Sequence, residues 1–121
     1  RLLTRPQAEI RAMATRLQPA VAQAVAPRYG AEVIHTDSQI GSGALPEARL
    51  PSAGLALTPF ATAKKESHAA LFELAQALRG LDQPILGRIA DKQLILDLRC
   101  LENPDDLIIP LAQLKARLAG Q

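Results

Sequence analysis

Apolar residues recur at the three- and four-residue spacing of a helix face in three segments of the chain. They are Ile10, Met13, Leu17, Val21 and Val25, then Leu71, Leu74, Ala75 and Leu78, and finally Leu107, Leu111, Leu114 and Leu118. This pattern predicts three amphipathic helices that each bury one face. Ser67 is expected to cap the second helix and Asn103 the third. Pro19 is expected to kink the first helix or divide it near Leu17, and Pro110 to break the third after one turn, because proline cannot donate the amide hydrogen bond.

Four shorter runs between these helices have the character of strands. They extend over Ala31 to Thr36, Gly54 to Thr58, Ile85 to Ala90 and Gln93 to Arg99. Only Asp91-Lys92 separates the last two runs, which predicts a tight antiparallel hairpin with Ile89 opposite Leu94. The order of helices and strands predicts an α+β fold, with a small antiparallel sheet of about four strands and helices packed on one face.

The predicted hairpin has two different faces. The pairs Ile89–Leu94, Gly87–Leu96 and Ile85–Leu98 form an apolar face, which is expected to lie against the helices. The other face mixes aliphatic and polar side chains, which suits contact with a second protein surface; it carries Leu86, Arg88, Ala90, Gln93, Ile95, Asp97 and Arg99. Arg88 and Asp97 lie on a cross-strand diagonal. They form either a surface ion pair worth less than ~1 kcal/mol, or an arginine that Asp97 orients towards an anionic ligand.

Composition narrows the choice of function. The chain has 121 residues, 14 Lys and Arg against 12 Asp and Glu, three aromatic residues and one cysteine, Cys100. The nearly balanced charge and the scarcity of aromatic rings argue against a nucleic-acid stacking platform. Cys100 follows an apolar run and is expected to be a buried thiol in a reducing, cytoplasmic setting. No apolar run approaches the ~20 residues of a membrane span, and His35 and His68 lack the companions of a metal site.

Several Gly-, Ser- and Pro-containing segments occur together in a distinctive order. They are Ser38-Gln39-Ile40-Gly41-Ser42-Gly43, Leu45-Pro46, Arg49-Leu50-Pro51-Ser52-Ala53, Ile85-Leu86-Gly87-Arg88-Ile89 and Leu96-Asp97-Leu98-Arg99-Cys100-Leu101-Glu102. Together with the opening Leu2-Leu3-Thr4-Arg5, these segments resemble the C-terminal part of the bacterial selenocysteine synthase family, the L-seryl-tRNA(Sec) selenium transferases. The resemblance extends over nearly the whole chain.

The resemblance implies a pyridoxal-phosphate enzyme of the aspartate-aminotransferase-like (fold type I) class. Members convert L-seryl-tRNA(Sec) to L-selenocysteinyl-tRNA(Sec) with selenophosphate, and assemble as a ring of dimers. Residues 1–121 are then expected to form the C-terminal small domain, inactive alone, with residues 1–29 as a connecting helix region. None of Lys64, Lys65, Lys92 and Lys115 has the context of the cofactor-binding lysine, so this lysine is expected in a large domain upstream of Arg1.

The resemblance and the sheet pattern together suggest contact residues for the rest of such an enzyme. Ser42 and Gly43 are expected near the cofactor cleft or, alternatively, only to permit an unusual turn. Arg49 is a further contact candidate. Arg88 with Asp97 is the leading one, and Arg88 is expected to meet the tRNA 3′ end, selenophosphate or a carboxylate across the domain interface. Three other functions remain open: a non-catalytic tRNA-binding module, a subunit-assembly domain, and a related pyridoxal-phosphate enzyme with another amino-acid substrate.

Overall fold

The computed structural model describes residues 6–40, 48–60 and 63–119. The chain folds into three helices and four strands in the predicted order. They are α1 (Gln7–Val25), β1 (Tyr29–Ile40), β2 (Ala48–Pro59), α2 (Lys64–Arg79), β3 (Arg88–Ala90), β4 (Gln93–Asp97) and α3 (Asp105–Ala119). In this described part of the chain, no helix is both long and apolar enough to span a bilayer.

The four strands form one antiparallel sheet in the order β1-β2-β4-β3. β1 and β2 form a long hairpin, in which Tyr29 lies opposite Pro59 and Ile40 opposite Ala48. β4 pairs with β2 only from Gly54 to Leu57. The other half of the β1–β2 hairpin therefore extends past the end of β4 as a two-stranded arm.

The core lies between the sheet and the helices. α1 contacts β1, β2 and α3, whereas α2 contacts β2 and β4. The fully buried side chains include Ile10, Val21, Leu55, Leu57, Leu71, Leu74, Leu78, Leu94, Leu96 and Leu114. Tyr29 closes one end of this core, where its hydroxyl donates to the carbonyl oxygen of Ala70 at 2.8 Å. The predicted α+β fold, with helices on one sheet face, is confirmed.

Two prolines lie inside continuous helices, so neither helix is divided as expected, whereas the alternative of a kink at Pro19 stays a prediction. α1 continues through Pro19 and α3 continues through Pro110. A proline inside a helix costs about 3 kcal/mol, but α1 buries Val21, Ala24 and Val25 after Pro19. Each large aliphatic side chain buried there contributes about 1.5–3 kcal/mol. Core packing therefore outweighs the local cost.

The helix starts were predicted with mixed success. Asn103 acts as expected, because its Oδ1 accepts the amide hydrogen of Asp105 at an N···O distance of 3.0 Å. Ser67 does not cap α2, because its own amide already donates to the carbonyl oxygen of Ala63 at 2.9 Å. α2 instead begins at Lys64 without a side-chain cap. The helix therefore starts three residues before the expected cap.

The β3–β4 hairpin has the predicted turn but a shorter ladder. Ile89 pairs with Leu94, and Asp91 and Lys92 have φ values of 52° and 65°. Both central residues thus adopt the left-handed conformation that tight two-residue hairpin turns require. β3 starts only at Arg88, because the amide of Ile85 donates to the carbonyl oxygen of Leu78 at the end of α2. The expected ladder pairs Gly87–Leu96 and Ile85–Leu98 lie outside the paired residues.

Cys100 is exposed, so the expectation of a buried thiol was wrong. The apolar run ends at Leu98, and a turn follows in which the amide of Leu101 donates to the carbonyl oxygen of Leu98. This turn places Cys100 on the outside, while Leu98 and Arg99 are buried.

Candidate functional site on the open face of the sheet

The sheet face opposite the helices, called the open face here, carries Arg88, Ile95 and Asp97. Arg88 stands on the edge strand β3 and is exposed. Its Nη2 donates to Oγ1 of Thr36 at 2.5 Å. Thr36 belongs to β1, the opposite edge of the sheet. A single arginine side chain therefore bridges the two edge strands across the open face.

This bridge shows that the sheet curls around the open face. Three inter-strand spacings amount to roughly 14 Å in a flat sheet, which is farther than an arginine side chain reaches. The ordinary right-handed twist and the free arm of the β1–β2 hairpin allow Thr36 to lean over the face. The guanidinium is thereby held on the side away from the helices, where it is exposed to a docking partner.

Hydrogen bonds from neighbouring residues fix the side chain of Asp97. Its Oδ1 accepts from Oγ of Ser52 at 2.7 Å and from the amide of Arg99 at 3.0 Å. Ser52 is fully buried, and the buried Arg99 donates through Nη2 to the carbonyl oxygen of Pro51. Arg99 was expected on the exposed side of the hairpin, but it ties the end of β4 to β2 instead. These bonds give the Asp97 carboxylate a defined orientation.

Arg88 and Asp97 line one pocket of about 260 Å³. The remaining lining residues are Asp37, Leu86, Gly87 and Ile95. Leu86 is 72% exposed, so an apolar side chain stands at the rim. The residues of the pocket thus include one arginine, two aspartates and aliphatic side chains. A partner that brings both polar and apolar groups fits this lining better than a free anion, which the two carboxylates would repel.

The other residues expected at the site are only partly described. Ser42 and Gly43 lie outside the described residues. The backbone of Arg49 lies in β2, opposite Gln39 in the arm of the hairpin. Within residues 6–40, 48–60 and 63–119, no group of three or more His, Cys, Asp or Glu side chains could hold a metal ion.

A second pocket, on another part of the surface, was missed by the sequence analysis. It has a volume of about 570 Å³ and is lined by Lys64, Lys65, Ser67, His68, Leu71, Ile89 and Lys92. The only sequence signal was the pair of adjacent lysines near His68. Lys92 lies far from them along the chain, and only the packing of α2 beside the hairpin turn brings the three lysines together.

These features define a small α+β domain whose helix-free sheet face carries a polar pocket built around an oriented arginine. Comparison with known proteins then assigns the family. The family model described as SelA, L-seryl-tRNA selenium transferase, matches residues 1–102. The chain belongs to the L-seryl-tRNA selenium transferase family.

Individual relatives carry the same name. An L-seryl-tRNA(Sec) selenium transferase of Rhizobium meliloti is 46% identical over 113 residues, which cover 93% of this chain and 23% of the relative. A transferase of Methylocella silvestris is 47% identical, covering 96% of this chain and 24% of the relative. One of Klebsiella pneumoniae is 50% identical, covering 85% and 21%. The chain therefore spans less than a quarter of the length of these relatives.

Proposed function

We propose that this chain is the C-terminal small domain of an enzyme that converts L-seryl-tRNA(Sec) to L-selenocysteinyl-tRNA(Sec), with selenophosphate as the selenium donor. Residues 1–121 form this domain, and residues 1–29 connect it to an upstream large domain. The observation that carries the proposal is the family match over residues 1–102. The names of the relatives supply the reaction class. By the same resemblance, the whole enzyme is a homo-oligomer, a ring of dimers.

The proposed enzyme uses pyridoxal phosphate, which forms an imine with a lysine and supplies an electron sink when bound. An imine-forming lysine lies in an enclosed cleft against the cofactor, where burial favours its neutral amine. Lys64, Lys65, Lys92 and Lys115 are all exposed at helix ends or in a turn. The described residues therefore do not fit the cofactor, and the proposal assigns the cofactor lysine to the upstream large domain.

Within this proposal, Arg88 positions the small domain on the large one. The seryl carboxylate is esterified to tRNA in the proposed substrate, so Arg88 has no free carboxylate of the amino acid to bind. Asp37 and Asp97 line the same pocket and disfavour a diffusing anion such as selenophosphate. A carbonyl group fixed in the large domain avoids this penalty because it carries no net charge, and for a fixed carboxylate the rest of the interface offsets it. Arg88 is thus a positioning residue rather than a catalytic one.

The test uses the full-length enzyme and measures selenium transfer to seryl-tRNA(Sec). Loss of one partner of a desolvated charged pair costs roughly 2–5 kcal/mol, so Arg88→Ala should lower kcat at least tenfold. The KM for selenophosphate should stay unchanged, the melting temperature should shift little, and Arg88→Lys should restore part of the rate. Arg28→Ala is the matched control, because Arg28 is half-exposed and pairs with Glu73 at 2.9 Å.

Three outcomes contradict the proposal at different levels. Unchanged turnover of Arg88→Ala would remove Arg88 from the site. A rise only in the KM for selenophosphate would assign Arg88 to donor binding instead of domain positioning. A wild-type full-length enzyme that forms no selenocysteinyl-tRNA from selenophosphate would refute the proposed reaction itself.

A further inference from the structure

The larger of the two pockets described above, called the basic pocket here, lies between the start of α2 and the β3–β4 turn. Its lining consists of Lys64, Lys65, Ser67, His68, Leu71, Ile89 and Lys92. The volume of about 570 Å³ is within the range of roughly 300–1,000 Å³ that is common for small-molecule sites. Two separate elements of the fold therefore build one concave surface.

The charge of the basic pocket has one sign. Lys64, Lys65 and Lys92 are exposed, and among the lining residues that the structure describes none is Asp or Glu. The neighbouring carboxylates of Glu66 and Asp91 are exposed and do not contribute to the lining. Three ammonium groups around one concave surface raise the local positive potential and attract anions, although the net charge of the whole chain is only +2.

The floor of the basic pocket is apolar. Leu71 is 2% exposed and closes the bottom, while Ile89 is 39% exposed and forms a side wall. The methylene stems of the lysines can extend this apolar surface and keep their charged ends in water. A ligand that suits this lining has an anionic group joined directly to a flat or apolar group. Inorganic phosphate alone would contact only the lysine ammonium groups at the rim and not the apolar floor.

Two local features of the sequence lower stability here, and both bring positive charge to the basic pocket. Lys64 and Lys65 occupy the first turn of α2, which has no side-chain cap and carries the positive end of the helix dipole. Lys92 has a φ of 65°, a conformation that favours glycine or asparagine. Positions where several residues depart from local sequence preferences together are typical of functional sites.

We propose that the basic pocket binds one nucleotide of an RNA strand. The phosphate of this nucleotide and the two adjacent phosphates of the strand lie against Lys64, Lys65 and Lys92, and the base or ribose lies on Leu71 and Ile89. The choice of RNA as the ligand rests on the proposed function, whose substrate is a tRNA. The contact residues and the need for an anionic, partly apolar ligand are inferred from the lining of the pocket itself. Phosphate contacts dominate such binding and make it strongly dependent on salt. Since the chain offers few aromatic rings, the affinity should be modest.

The binding experiment measures the fluorescence anisotropy of a labelled single-stranded RNA oligonucleotide with the 121-residue chain over a series of salt concentrations. Three phosphate contacts give a slope of log K against log salt of about −2 for single strands. Each of Lys64→Gln, Lys65→Gln and Lys92→Gln should reduce that slope by about 0.7. The triple variant should weaken binding roughly tenfold or more at low salt. Lys115→Gln is the matched control, since Lys115 is an exposed lysine of α3 outside the pocket.

The apolar floor has its own test. Ile89→Thr keeps a β-branched side chain but removes apolar surface, so it should weaken RNA binding several-fold and leave inorganic polyphosphate binding unchanged. Circular dichroism checks that each variant is folded. An Ile89→Thr chain with full RNA affinity would overturn the nucleotide site.

Other outcomes also decide the matter. Equal losses from Lys115→Gln and from the pocket variants would show a diffuse charge effect and overturn the proposal. Tighter binding to vesicles with phosphatidylserine than to RNA, through the same three lysines, would assign the pocket to a lipid surface instead. The experiment contains no selenium donor or cofactor. A full-length enzyme without selenium transfer, but with RNA affinity that depends on these lysines, would therefore refute only the proposed reaction and support the site.

Discussion

Gly54 is the position where one added methyl group should damage the sheet most clearly. A Cβ atom at Gly54 would lie 2.1 Å from the carbonyl oxygen of Leu96 and 3.0 Å from its carbonyl carbon. Both are backbone atoms of β4, so no rotation of a side chain relieves the overlap. Gly54→Ala must therefore displace β2 from β4 at the end of their ladder, next to Asp97.

The magnitude follows from this displacement. An ordinary contact of a Cβ atom begins near 3.4 Å, so the strands must separate locally by more than 1 Å. Overpacking of this kind costs about 1–3 kcal/mol, and each ladder hydrogen bond that is lost adds about 1 kcal/mol. We expect the free energy of unfolding to fall by roughly 3–5 kcal/mol, a large part of the ~5–15 kcal/mol of a typical domain.

Urea unfolding followed by circular dichroism measures this loss, and Gly80→Ala is the matched control. Gly80 ends α2 with a φ of −85°, and the nearest atom to its added Cβ would be the carbonyl oxygen of Gln76 at 3.4 Å. Replacing glycine by alanine also reduces the conformational entropy of the unfolded chain, which should stabilise this variant by up to ~1 kcal/mol. If Gly54→Ala and Gly80→Ala had equal stability, the close approach of β2 and β4 would be refuted.

Three further predictions concern pH, the hairpin turn and the support of the open face. Burial raises the pKa of Tyr29 in the folded chain. The stability that the buried, protonated Tyr29 contributes is therefore complete below the ordinary pKa of 10.0, and it is lost as the pH rises through the pKa of the folded state. Because Tyr29 is the only tyrosine and tryptophan is absent, ultraviolet absorbance follows the ionisation of Tyr29. A titration midpoint of the folded chain below that of the urea-unfolded chain would contradict the raised pKa. Lys92→Gly should raise the free energy of unfolding by about 1 kcal/mol, since glycine adopts the positive φ without strain; a loss of stability in urea unfolding would speak against the turn. Ser52→Ala removes the hydrogen bond to Asp97 and should cost about 1–3 kcal/mol in thermal unfolding, and an unchanged melting temperature would show that this bond is not formed.

The helices could be predicted from the sequence because their apolar faces repeat within a few residues. The division of the helix that this local view allowed at Pro19 does not occur, since the cost of a proline is local but the gain that offsets it comes from packing of α1 against the sheet and α3. The local view also failed at Cys100, where a turn rather than the preceding apolar run determines exposure. Periodicity therefore identifies which face of a helix is buried, but not how much strain the resulting core can tolerate.

The candidate site was only partly predictable for a related reason. The two-residue turn fixes the pairing of Ile89 with Leu94, which places Arg88 on the open face. The partner of Arg88 is Thr36, 52 residues away in sequence, and no local pattern specifies that contact. The basic pocket was missed because Lys64 and Lys92 meet only through tertiary packing.

The two proposed sites share the short strand β3. Arg88 and Ile89 are neighbours, and because successive strand residues point to opposite sides of a sheet, Arg88 reaches the open face while Ile89 lines the basic pocket. The proposals can therefore be separated by adjacent substitutions. Arg88→Ala should lower selenium transfer by the full-length enzyme without changing RNA affinity in the salt series, and Ile89→Thr should weaken RNA binding with a smaller effect on kcat at saturating tRNA. Hydrogen exchange checks that β3 remains paired with β4 in both variants. If either substitution then removed both selenium transfer and RNA binding, the two surfaces would act as one site, and the division between domain docking and RNA contact would be wrong.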